Sequence, residues 1–226
     1  GTKLFVPYSH LADNLPWVAR TLGVAGNRKG ITVLMVVRKA QGTEITPLAT
    51  IAADKQSEVK FDKVFVSSNS ILGSLDNGLS QLGETLKKAT VLQCAIMVGG
   101  AQQELEMAAE HTKNRMQFER PIGTFQAVQQ KLADMFVDVN GARWTVYQAV
   151  WRLSEGLPAD REVAIAKAFT NIACERVAFG AQQLHGGVGV DKDYDLHFYF
   201  RRAKAFALTL GSTPFHLRTL EAEISQ

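Results

Sequence analysis

The stretch HTKNRMQFERPIGTFQAVQQ, residues 111–130, separates two long helical patterns and is richer in functional side chains than a simple turn. Pro121 and Gly123 interrupt the chain, since proline cannot donate the backbone hydrogen bond that a continuing helix needs. Four side chains that could contact a ligand surround the break: Arg115, Gln117, Phe118 and Gln126. They could be ordinary solvated residues. However, a guanidinium, which binds phosphate bidentately, next to two amides and a ring also suits a ligand site.

The sequence on either side of this junction has helical periodicity from about residue 74 onwards. Apolar residues recur every three or four positions, which predicts helices over 79–113, 125–153 and 160–184 and shorter ones near 193–209 and 214–224. The predicted apolar faces include Leu86, Leu92 and Phe136. Long helices joined by short loops favour an antiparallel four-helix-type bundle.

The first 70 residues follow a different pattern, in which short β-rich runs alternate with glycine and proline. ITVLMVV, residues 31–37, is typical of a buried strand, and SEVKFDKVFV predicts another over 57–66. We therefore predict an α+β fold, with a small antiparallel β-barrel or sandwich over 1–72 and a helical domain over 73–226.

Composition excludes several classes of protein. The 226 residues are 46% apolar and 21% charged with a net charge of +3, which is ordinary for a soluble globular protein. No apolar run reaches the roughly 20 residues of a membrane span, and no basic run with interleaved aromatics indicates nucleic-acid binding. Cys94 and Cys174 lie in helical patterns, which favours a reduced, cytoplasmic protein. Because the chain opens at Gly1 inside a strand pattern, we expect a longer protein.

The sequence lacks the common catalytic motifs. No two of the five histidines form a metal-binding pair with a third ligand, and no CxxC occurs, so we predict no metal site. A nucleophile elbow and a P-loop are also missing from the sequence.

A glycine-rich stretch, QQLHGGVGVD at residues 182–191, is the second candidate ligand site. It follows a helix rather than a strand, which argues against a Rossmann dinucleotide fold. Gly186 and Gly187 could simply end the helix, or they could let the backbone approach a phosphate or ribose. Together with the junction, this stretch fits a nucleotide-containing cofactor such as a flavin dinucleotide.

Both stretches resemble motifs of the acyl-CoA dehydrogenase family, in the same order and at suitable spacing. RMQFERPIGTFQAVQQKLADM is similar to that family's helix-junction motif and QQLHGGVGV to its Gly-Gly turn, while the β-rich start is similar to its middle domain. The resemblance covers essentially all 226 residues. It implies a flavoenzyme of three parts, of which this chain contains the last two and lacks the N-terminal helical domain.

The resemblance also implies an FAD site shared between subunits. Arg115 would bind the pyrophosphate of a neighbouring subunit's FAD. The residues that would line the adenosine side are Gln117, Phe118 and Gln126, and those that would close over the dinucleotide are Gln183, Gly186 and Gly187. The implied partners are an acyl-CoA substrate, an electron-transfer flavoprotein or similar acceptor, and further subunits in a homo- or hetero-oligomer, such as a dimer of dimers.

The family's catalytic base is missing at both of its usual positions. Family members use a glutamate to remove the proton α to the thioester, but the two matching positions read Leu210 and Ala89. No acid occurs from Arg201 to Leu220, and Glu84 is more than one helical turn from Ala89. We therefore assign no catalytic residue to this chain.

Two further departures concern the flavin itself. The family's Trp-Ile-Thr/Ser reads Phe5-Val6-Pro7 here, and Pro7 can offer the flavin ring neither a hydroxyl nor an amide hydrogen. Glu119 replaces the usual glycine and brings a negative charge close to the phosphates, which Arg120 could offset.

These features together predict a subunit that cannot complete the reaction alone. The resemblance is nearest to the branch with two unlike subunits, whose actinobacterial members act on steroid side-chain thioesters. Three alternatives stay open: a homo-oligomeric dehydrogenase with a displaced base, a flavin monooxygenase of the same fold, and a non-catalytic structural subunit.

Overall fold

The computed structural model describes residues 1–27 and 29–224, with side chains as far as residue 222. The chain separates into two units, Gly1–Thr85 and the residues from Leu86 onwards. The strands are β1 (Thr2–Pro7), β2 (Asn14–Arg20), β3 (Ile31–Val37), β4 (Thr43–Leu48), β5 (Gln56–Phe61), β6 (Ile71–Leu72), β7 (Met116–Gln117) and β8 (Arg120–Pro121). The helices are α1 (Gly78–Asn114), α2 (Gln126–Ser154), α3 (Asp160–His185), α4 (Leu196–Leu208) and α5 (Thr213–Ile224).

The β unit consists of two three-stranded antiparallel sheets, ordered β1-β5-β4 and β2-β3-β6. Val59 on β5 and Val33 on β3, the central strands, are fully buried. Trp17 of one sheet contacts Phe61 of the other edge to face, with ring centroids 4.1 Å apart. Over residues 1–27 and 29–72 the two sheets stay separate, so of the predicted alternatives, barrel or sandwich, the chain does not form the closed barrel.

The predicted strand over 57–66 is shorter than expected. β5 ends at Phe61, after which the Asp62 amide donates to the Gly42 carbonyl at 2.9 Å. Lys63 then adopts a φ of 51°, which turns the chain away from the sheet. Residues 62–66 therefore continue the apolar alternation without continuing the hydrogen-bonded ladder.

The first three helices run alternately up and down. Lys87 Nζ lies 3.1 Å from Asp160 Oδ2 near the start of α3, and the end of α1 meets the end of α3, so these two helices are parallel. Arg152 at the end of α2 pairs with Glu162 at the start of α3 at 3.2 Å. α2 is therefore antiparallel to both neighbours, as predicted for a bundle.

α3 lies at the centre of the helical unit and contacts α2, α4 and α5. Most of the buried residues of α3 are small. A Cβ added to Gly180 would lie only 2.9 Å from Met135 Sδ of α2. Small residues therefore allow close helix packing.

The prediction that Leu86, Leu92 and Phe136 face the core is wrong, since these side chains are 46%, 66% and 60% exposed. The buried face of α1 is formed by other positions, which include Val91, Met97 and Leu105. Across residues 1–27 and 29–224, no helix combines the length and apolar content needed to cross a membrane.

Candidate functional site

The helix junction is a short hairpin that continues directly from α1. The Arg115 amide still donates to the His111 carbonyl at 2.8 Å, as the last helical hydrogen bond. The Arg115 carbonyl accepts from the Ile122 amide at 2.9 Å, which closes the hairpin at its base. Arg115 is thus fixed at its backbone, while its side chain remains exposed.

The tip of this hairpin carries two residues in the left-handed region. Gln117 pairs with Arg120, and Phe118 and Glu119 between them have φ values of 50° and 65°. A two-residue turn with positive φ at both positions normally uses asparagine or glycine, so Phe118 and Glu119 hold a costly conformation. Phe118 is 85% exposed at the tip.

A cation–π contact links the hairpin to Phe125, the residue before α2. The Arg120 guanidinium lies 4.1 Å from the centroid of the Phe125 ring, and the Phe118 ring meets Phe125 edge to face at 6.0 Å. Gln126 follows immediately as the exposed first residue of α2. The fold therefore positions Arg115, Gln117, Phe118 and Gln126 within a single ordered junction.

The glycine-rich stretch forms the C-terminal end of α3. Gly186 follows the helix with φ 62° and ψ −136°, a conformation open essentially to glycine alone. A Cβ at Gly186 or Gly187 would meet no atom within 4 Å, so no packing within the chain explains the glycine at 187. Gln183 is exposed on the last turn of α3.

Two stacked histidines bring the junction and the glycine turn together. The rings of His111 and His185 lie 4.3 Å apart at an interplanar angle of 29°. His185 is held in place because Nδ1–H donates to the Ala181 carbonyl at 2.8 Å and Nε2 lies 3.1 Å from the Tyr194 hydroxyl. In that tautomer the hydroxyl donates to Nε2. We call the paired segments Arg115–Gln126 and Gln183–Gly187 the clasp.

Sequence reasoning missed both histidines, although their positions gave a signal. His111 precedes Arg115 by four residues and so lies one helical turn away, and His185 directly precedes Gly186. Burial lowers the pKa of both imidazoles, and for His111 the nearby His185 and Arg115 lower the pKa further. Both rings are therefore neutral at pH 7.

The exposed groups of the clasp fit a nucleotide diphosphate. The side chains of Arg115, Gln117, Gln126 and Gln183 make no hydrogen bond to any residue that the structure describes. A guanidinium and three amides thus offer donors to a ligand, next to an open stretch of backbone at Gly186 and Gly187. This set suits two phosphates and the polar edges of a ribose and base.

Leu210, which matches one family position of the base, lies in the turn between α4 and α5. Its φ is 57°, unusual for a leucine, and that of Gly211 is 105°. His216 Nε2 donates to the Leu210 carbonyl at 3.0 Å, and the Asn171 amide to the Gly211 carbonyl at 3.4 Å. The turn is therefore anchored from both α3 and α5.

The other predicted position, Ala89, is half-buried on α1, and Glu84 is exposed on the same helix. Among the described residues, no three His, Cys, Asp or Glu side chains come together in a way that could hold a metal ion.

The Phe5-Val6-Pro7 stretch lies on β1, at the edge of its sheet. The pairing with β5 shifts register between Lys3 and Val6, and Phe5 within this bulge has a φ of 59° and is 64% exposed. An edge strand tolerates Pro7, which cannot donate to a ladder.

Comparison with known proteins connects this geometry to a family. The family described as "Acyl-CoA dehydrogenase, C-terminal domain" matches residues 76–225. The chain is 36% identical to acyl-CoA dehydrogenase FadE27 of Mycobacterium tuberculosis, over 100% of this chain and 60% of the relative. It is 32% identical to acyl-CoA dehydrogenase IpdE2 of Mycolicibacterium smegmatis, over 82% of this chain and 57% of the relative.

A solved structure shares the same fold. The ChsE4-ChsE5 complex from Mycobacterium tuberculosis has a chain that matches with a TM-score of 0.89 and 35% identity, covering 100% of this chain and 59% of that one. The chain thus spans about three-fifths of the length of the curated relatives it matches. With a family match over residues 76–225 and relatives of this identity, the chain belongs to the acyl-CoA dehydrogenase family.

Proposed function

We propose that this chain forms one wall of an FAD site in an assembly of unlike subunits that dehydrogenates an acyl-CoA thioester between its α and β carbons. The observation that carries the proposal is the stack of His111 on His185, because it places the arginine junction beside the glycine turn. Support for an unlike partner comes from the ChsE4-ChsE5 complex, a similar chain in a two-component assembly. The sequence resemblance extends the proposed substrate class to steroid side-chain thioesters.

The chain's own residues would bind and orient the cofactor. Arg115 would donate to the diphosphate, while Gln117, Gln126 and Gln183 would bond to the adenosine and its ribose. Phe118 would flank a ring, and Gly186–Gly187 would let the backbone approach closely. When bound, FAD supplies the acceptor for the hydride that leaves the β carbon.

The proton at the α carbon needs a base that this chain does not offer at the family positions. Leu210 and Ala89 are apolar, and the turn between α4 and α5 carries no carboxylate from Arg201 to Leu220. We assign the base to the partner subunit. Leu210 would then present an apolar side chain where other members of the family place an acid.

The test is to co-purify the full-length protein with its unlike partner and to measure FAD per subunit and acyl-CoA oxidation with an artificial electron acceptor. The proposal predicts oxidation by the pair and none by this protein alone. Full activity from this protein alone with one FAD per subunit would contradict the proposal, as would a pair that contains no flavin.

The clasp is tested separately in the same complex. Arg115→Ala should weaken FAD binding about 10- to 100-fold, since a hydrogen bond to a charged group contributes about 1.5–3 kcal/mol. Arg115→Lys should be intermediate because it keeps the charge and loses the bidentate geometry. The exposed Arg218 on α5 offers the matched control, and Arg218→Ala should leave affinity unchanged.

A further inference from the structure

We propose that His111 is a positioning residue of the clasp that takes up a proton when the diphosphate of a dinucleotide binds at Arg115. The inference rests on the proposed function and adds a proton-coupled step to cofactor binding.

The contact geometry makes His111 the link between the two halves of the clasp. Its carbonyl accepts the Arg115 amide at 2.8 Å, so the two residues share the last turn of α1. Its ring stacks on that of His185 at an interplanar angle of 29°, and the two ring nitrogens of His185 are held by Ala181 and Tyr194. A shift of His111 would therefore move Arg115 relative to Gly186.

The groups that act on His111 are cationic or neutral. His185 contributes a second imidazole from α3 and Arg115 a positive charge just past the end of α1, and both lower the pKa of His111. Tyr194, from the segment before α4, contacts His185 through its hydroxyl. The segment between β8 and α2 approaches this part of α1 through Gly123, which lies next to the backbone of Thr112 and has no titratable group.

The charged neighbours of His111 on α1 are engaged with each other. Glu110 accepts from the Asn114 amide at 2.6 Å and lies 3.9 Å from Lys113 Nζ. The positive charge of Arg115 is therefore the charge that a bound anion would offset at His111.

These charges decide whether binding of a diphosphate raises or lowers the pKa of His111. Without ligand, burial first and then His185 and Arg115 hold the pKa of His111 below its ordinary value. A diphosphate at Arg115 counters that positive charge, so the pKa of His111 rises in the complex. The complex then binds more protons than its components at mildly acidic pH. Affinity should be higher below the pKa of free His111 and should decline as pH rises through the pKa of the complex.

The experiment titrates FAD, whose internal diphosphate stays fully ionised throughout this range, into the flavin-free assembly of full-length subunits by calorimetry at about pH 6 and about pH 8. Two buffers with different ionisation enthalpies give the number of protons exchanged. We expect uptake of a fraction of a proton at about pH 6 and almost none at about pH 8. Affinity should increase toward lower pH and level off below the pKa of free His111, at a total gain of about threefold for a pKa change of about half a unit.

Two substitutions locate the proton. His111→Phe keeps a flat ring, and His111→Gln keeps a polar side chain, but neither can titrate. Both should abolish uptake and remove the dependence of FAD affinity on pH, whatever the affinity itself becomes. His10→Phe in the β unit is the matched control and should leave the uptake unchanged.

Several outcomes would overturn the inference: no uptake or proton release by the wild type, uptake that persists in both His111 variants, or uptake that disappears in His10→Phe. The wild-type measurement decides even if a variant fails to fold. Arg115→Ala distinguishes a failure of the clasp from a failure of the role of His111. Unchanged FAD binding in that variant would refute the clasp itself, whereas Arg115-dependent binding without proton uptake would refute only the role of His111.

Discussion

Lys167 Nζ donates to Asn171 Oδ1 at 2.9 Å, one turn further along α3, and to the Phe206 carbonyl of α4 at 2.7 Å. Lys167 is fully buried, and burial lowers its pKa to about 8. Asn171 in turn donates to the Gly211 carbonyl. A buried lysine thus connects the central helix to the turn that contains Leu210.

Replacing Lys167 with methionine should destabilise the protein, because Asn171 Oδ1 and the Phe206 carbonyl would lose a buried donor. We expect the free energy of unfolding to fall by about 2 kcal/mol, measured by chemical denaturation. Lys88→Met on the exposed surface of α1 is the control and should change stability by less than about 0.5 kcal/mol. Equal stability of the two variants would contradict the structural role of Lys167.

Glu104 should make stability fall as pH rises. Its side chain is 1% exposed, its Oε1 has no hydrogen-bond partner among the described residues, and burial raises its pKa to about 8. Between the unfolded value of 4.5 and about 8, the folded state therefore holds a proton that the unfolded state has lost. Glu104→Gln should remove this slope and make the protein more stable near pH 8, on the order of a few kcal/mol.

Glu106, two residues further along α1 and exposed, provides the comparison for Glu104. Glu106→Gln should leave the dependence of unfolding free energy on pH unchanged. Denaturation at a series of pH values measures the effect. If the free energy of unfolding of Glu104→Gln changes with pH as that of the wild type does, the assignment of a neutral, buried carboxyl to Glu104 is wrong.

The two glycines of the clasp should respond differently to alanine. Gly186→Ala places a Cβ on a residue with φ 62° and should lower the free energy of unfolding by about 1–3 kcal/mol. Gly187→Ala meets open space and should leave stability within about 0.5 kcal/mol. The same Gly187→Ala should weaken FAD binding, because its methyl would lie where the dinucleotide approaches. Unchanged FAD affinity in this variant would show that Gly187 does not contact the ligand.

Glu119→Gly should improve both stability and cofactor binding. Glycine suits a φ of 65°, which should add about 0.5–1 kcal/mol to the free energy of unfolding. Loss of a carboxylate near the proposed phosphates should also raise FAD affinity, measured by titration of the flavin-free assembly. Glu119→Ala separates the two effects, since it removes the charge and keeps the strained conformation. Equal stability of Glu119→Gly and Glu119→Ala would show that strain at this turn is unimportant.

Local signals accounted for most of the secondary structure. The strand at 31–37 and the long helices at 79–113, 125–153 and 160–184 lie within two residues of the observed bounds, because periodicity and helix-ending glycine and proline are local properties. The failures were non-local. β5 stops at Phe61 because its next residue bonds to Gly42, and Leu92 is exposed because the packing of α1 buries its neighbour Val91 instead.

The sequence by itself therefore determined the order of the elements, the family, and the residues of the two motifs, since these depend on residue type and spacing. Only the tertiary structure decided that the two motifs meet, through His111 and His185, about 70 residues apart in the chain. It also decided which charged groups are buried, since Lys167 and Glu104 look like ordinary helix residues until neighbouring helices cover them. Contacts between distant segments depend on how the helices pack, and no single stretch of the sequence determines that packing.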